Sequence, residues 1–132
     1  MKSLFDIKPD WNIIMELSQE NIKNLELRWF SFLEAMYKDD YYPNHVVDKG
    51  KAILINLCLK IEAQKPQTVK ELYVLTHHAT NQFNELEHDF YENGSEIETI
   101  ARDCIGSDFA FIAESYGFIG ADREELIATR DW

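Results

Sequence analysis

The chain has 132 residues, 45% of them hydrophobic, with five glycines, three prolines and a net charge of -11. That length suits one domain able to bury roughly two-thirds of the surface its unfolded chain exposes, and the composition excludes a low-complexity or disordered chain. The acidic balance argues against nucleic-acid and anionic-membrane partners.

The charge is unevenly spread. Glu85 to Trp132 carries 13 acids against Arg102, Arg123 and Arg130, whereas Met1 to Asn84 carries 11 acids against 10 bases. Such a field serves solubility, and it also speeds encounter with a basic partner. No basic segment leads into an apolar run at the N-terminus, and nowhere do about 18 apolar residues occur together, so neither a secretory signal nor a membrane span is expected. Cys58 and Cys104 fall on apolar helix faces and read as reduced core thiols. These features together point to a cytoplasmic protein.

In chain order, Met1 to Leu17 reads as a loosely packed segment, with Pro9 and Asp10 opening a short helix through Trp11, Ile14 and Met15. From Ser18 to about Tyr37, Ile22, Leu25, Trp29, Phe32, Leu33 and Met36 recur three and four apart and predict one helix with that face in the core. Lys38 to Asn44, with Pro43, predicts a connector. Helical spacing resumes from Asn44 to Ala63, where Gly50 costs ~1 kcal/mol relative to Ala and implies a close helix crossing. After Pro66, Thr68 and Glu71 form a capping box opening a helix to about Asn93.

Gly94 breaks that helix, and Ser95 with Glu98 predicts a second capping box for a helix running to about Phe118, closed by Gly117 or Gly120. Its stripe, Ile97, Ile100, Ala101, Cys104, Ile105, Ile112, Ser115 and Tyr116, contains one acid, Asp108. Asp122 and Glu125 open a last short helix. No alternating run predicts a strand. The expected fold is all-α, a single domain over 1–132 of about five main helices in an antiparallel bundle.

Chemistry is sparsely signalled. Glu85 and His88 make one Glu-x-x-His pair, whereas a di-iron bundle needs two. His77 and His78 point about 100° apart on a helix and cannot hold one ion alone. No zinc-spaced Cys pair, Gly-rich phosphate loop or nucleophile elbow occurs, so no catalytic residue, metal or cofactor is assigned. Asp108 demands a base or several donors if it is buried, with Lys49, Lys51, Arg102 and Arg130 as candidates. A salt bridge or a cap to a neighbouring helix would satisfy it structurally. Thr76 and Thr80 on an apolar stripe need only bond back to helix carbonyls.

Three functional classes remain open. The leading one is an immunity or antitoxin-like protein that neutralises a basic, nuclease-type toxin by stoichiometric binding, with Glu85, Glu87, Asp89, Glu92, Glu96, Glu98 and Asp103 as its acidic surface. The second is a small enzyme or ligand-binding domain whose interhelical pocket gathers Asp108, Lys49, His77 and Arg130. The third is a homo-oligomeric scaffold using Trp11, Trp29, Phe30, Tyr41 and Tyr42 as an apolar contact patch.

Several stretches also resemble an uncharacterised bacterial family, the domain of unknown function 5713 family. They are residues 47–54 (VDKGKAIL), 75–77 (LTH), 94–99 (GSEIET) and 124–132 (EELIATRDW), so the resemblance covers about Met36 to Trp132 and leaves out the first 35 residues. It implies no activity or cofactor. It places Asp48, Lys49, His77, Glu98, Arg130 and Asp131 in the family's recognisable pattern.

Overall fold

The computed structural model describes residues 9–132, and the expectations for Met1 to Lys8 lie outside them. The described chain is all helical: α1 (Trp11–Ile14), a single 3-10 turn (Gln19–Asn21), α2 (Leu25–Arg28), α3 (Glu34–Tyr37), α4 (Asn44–Gln64), α5 (Val69–Glu92), α6 (Thr99–Ser115) and α7 (Arg123–Leu126). None of these helices is long and apolar enough to cross a membrane.

The α4–α5 hairpin forms as its periodicity predicts. Val46, Val47, Ile53, Leu54, Leu57 and Ile61 of α4 and Leu72, Leu75, Ala79, Phe83, Leu86 and Phe90 of α5 are buried, each large side chain contributing ~1.5–3 kcal/mol by leaving water. The helices run antiparallel, since Lys49 near the start of α4 meets Asp89 near the end of α5. Gly50 lies at their crossing: a Cβ there would come within 2.9 Å of Leu33 Cδ1 and 3.1 Å of Phe83 Cε1. The expected close approach is therefore real, and it involves a third segment. Thr68 Oγ1 accepts the Glu71 N–H, the first half of the expected capping box, whereas the Glu71 carboxylate accepts the N–H of Gln67, one residue before the cap, in place of that of Thr68. Gly94, at φ +78°, ends α5 as the Ser95 N–H bonds the Phe90 carbonyl.

That last bond also overturns the second capping box. Ser95 is tied to the end of α5, the chain stays irregular to Glu98, and α6 begins at Thr99 with no side-chain cap. The Ile97 N–H is taken instead by Glu87 Oε2 of α5 at 3.0 Å. At the other end Gly117, at φ +91°, terminates α6 as the Phe118 N–H reaches the Ala113 carbonyl.

The single helix expected over 18–37 is absent; three short pieces occupy it. Side chains elsewhere capture the amides a continuous helix would need. The Glu62 carboxylate of α4 accepts the N–H groups of Lys23 at 2.8 Å and Asn24 at 3.0 Å, which would otherwise bond the carbonyls four residues back. Ser18 and Asn24 cap new starts with their own oxygens. Leu33 turns to φ +56°, and its N–H goes to Asp108 of α6. The expected core face is redistributed accordingly: Trp29 is 79% and Leu25 64% exposed, while Ile22, Leu27, Phe32, Leu33 and Met36 are buried.

The aromatic patch is not continuous either. Tyr42 is buried edge-on against Phe90, Trp11 lies half-buried under the Lys49 ammonium, and Phe30 stacks on Phe111.

Candidate functional site

On α6, Ile100, Asp103, Cys104, Ser107 and Asp108 share a face by their three- and four-residue spacing. Across from them stand Phe30, Ser31, Glu34 and Ala35, at and before the start of α3. Together these nine residues line a cavity of about 460 Å³. The break in the 18–37 segment creates it, because a continuous helix would not hold residues 30–35 in this arrangement.

Asp108 forms part of the wall and is 7% exposed. None of the expected bases meets it. Its Oδ2 accepts the Leu33 N–H at 2.7 Å, and Oδ1 has no hydrogen bond among the described residues. Burial pushes its carboxyl up to about 6, the nearby Glu34 carboxylate adds to the rise, and the Leu33 N–H opposes both. The carboxylate thus has a structural use, holding the Leu33 amide, while the residue lines the cavity wall. Cys104 beside it is held as a neutral thiol, since burial and the Asp108 charge both push its pKa up, and a neutral thiol is a poor nucleophile.

The other expected pocket residues do not converge on Asp108. Lys49 pairs with Asp89 at 2.7 Å. His77 stacks on Tyr73 and its Nε2 lies 2.7 Å from the Glu125 carbonyl, which can only accept, so Nε2 carries the proton. Arg130 bonds Glu124 at 3.0 Å and the Ile127 carbonyl. His77 and Arg130 belong instead to a clasp that seats α7 and the C-terminal residues, completed by Asn84, which bonds the Thr129 carbonyl and the Asp131 N–H. Lys51 lines a separate surface hollow, and Arg102 reaches the Trp132 carbonyl.

The seven surface acids divide into two groups. Asp89 is neutralised by Lys49, Glu87 is turned inward onto Ile97, and Asp103 lies 3.4 Å from Arg123. Glu92, Glu96 and Glu98 are exposed, Glu85 is partly so, and none of the four has a basic nitrogen within 4.0 Å among the described residues. The Tyr41 hydroxyl reaches Glu98 at 3.5 Å.

Sequence reasoning missed Glu62. Besides the two amides it accepts the Tyr116 hydroxyl at 2.6 Å. Burial alone would raise its pKa, but the Tyr116 hydroxyl and the Lys23 and Asn24 amides outweigh that and hold it below the ordinary carboxylate range. A second cavity of about 510 Å³ lies beside it, but there the carboxylate is already occupied by three donors. Nothing in the spacing of residues 58–65 signals a partner 39 positions away.

Neither a curated protein nor a solved structure matches this chain. The model of the family of unknown function DUF5713 matches residues 26–132, starting earlier than the resembling stretches and so including Leu27, Phe32 and Leu33, which pack beside the site. The chain belongs to that family of unknown function, DUF5713.

Proposed function

We propose that this protein is a cytoplasmic, stoichiometric binding domain for a basic protein, of the immunity or antitoxin kind that masks a nuclease-type toxin. The observation that carries this reading is the run of exposed acids, Glu92, Glu96 and Glu98, at the junction of α5 and α6, which have no basic partner among the described residues. Complementary charge gives fast association and selects the sign of the partner. Free Cys58 and Cys104 fit a reducing compartment. Affinity capture from native cell lysate should recover one basic protein at low salt and lose it as salt rises. Replacing Glu92, Glu96 and Glu98 together by Gln should abolish recovery without altering the fold. Capture of no basic protein at low salt would contradict the reading.

A second reading, a ligand-binding domain centred on Asp108, is favoured by the cavity between α3 and α6. It needs the wall acid and the volume beside it, and it does not need Lys49, His77 or Arg130. Thermal-shift screening separates the two readings, because a small ligand stabilises the isolated protein by mass action.

A further inference from the structure

We draw no further inference here: the strongest candidate, the hollow of about 510 Å³ between the end of α4 and the end of α6, carries nothing, because each charged group in its wall has a structural use, Glu62 with its three donors, Lys23 beside that carboxylate and Lys65 at the carbonyl end of α4.

Discussion

The α4–α5 hairpin and the segment from Ser18 to Tyr42 contain similar densities of apolar residues at helical spacing, yet one is two long helices and the other is three fragments. In the hairpin, almost every interior amide finds its acceptor four residues back, and the apolar stripe alone decides the packing. In the segment, acceptors on other helices, Glu62 on α4 and Asp108 on α6, hold amides at Lys23, Asn24 and Leu33. Periodicity specifies which residues go inside. Whether the backbone between them is helical depends on who takes its hydrogen bonds.

The comparison can be broken at several points. The largest effect is expected in the hairpin: Phe83→Ala removes a side chain with no exposure at the Gly50 crossing and should cost ~3–5 kcal/mol in urea unfolding. A loss under 1 kcal/mol would mean that the crossing is loosely packed.

At Asp108 the sign of the pH effect is the informative quantity. Burial pushes its carboxyl up to about 6 in the folded chain, against an ordinary value of 3.8. The native state therefore binds more protons than the unfolded state between those values, and this acid penalises folding increasingly as pH rises through that window. The Asn side chain keeps an acceptor for Leu33 and does not titrate. Asp108→Asn should therefore gain on the wild type by about 2–3 kcal/mol between pH 4 and pH 7.5. A flat difference across that range would contradict burial of an ionising carboxyl.

Glu62→Ala leaves the Lys23 and Asn24 amides and the Tyr116 hydroxyl without their acceptor, at a cost of about 2 kcal/mol at neutral pH. Because the folded pKa of Glu62 lies below its ordinary value, its contribution is present above the ordinary carboxylate range and fades as pH falls. Stability curves of wild type and variant should therefore converge in acid. The smallest effect is expected at Trp29, which a continuous helix would place in the core. With 79% of the residue exposed, Trp29→Gln should change stability by less than about 0.5 kcal/mol. A loss of several kcal/mol would restore the single helix.

The same contrast explains what the sequence makes legible. The bounds of α4 and α5, the Thr68 cap on the Glu71 N–H and the Gly94 and Gly117 terminators all follow from residues within a turn or two of each other. Asp108 is singled out by its place on an apolar stripe, but its partner is a backbone amide 75 positions away, and an amide leaves no mark in side-chain identity. Ser95 illustrates the converse: a good capping pattern with Glu98 is displaced because the preceding helix claims the Ser95 N–H first. The cavity is illegible for the same reason, since it exists only where the chain leaves helical geometry between α2 and α3, at residues 29–33. Lys49, His77 and Arg130 have structural partners of their own, Asp89, the Glu125 carbonyl and Glu124.

Hydrogen exchange at the Leu33 amide tests most directly whether Asp108 holds the irregular segment in place. In the wild type that amide should be protected, and in Asp108→Ala its protection should fall together with that of Met36 and Tyr37, while Leu54 and Phe83 in the hairpin keep theirs. Unchanged protection at Leu33, or an equal loss across both regions, would show that Asp108 does not act as the tether and that the segment owes its shape to something else.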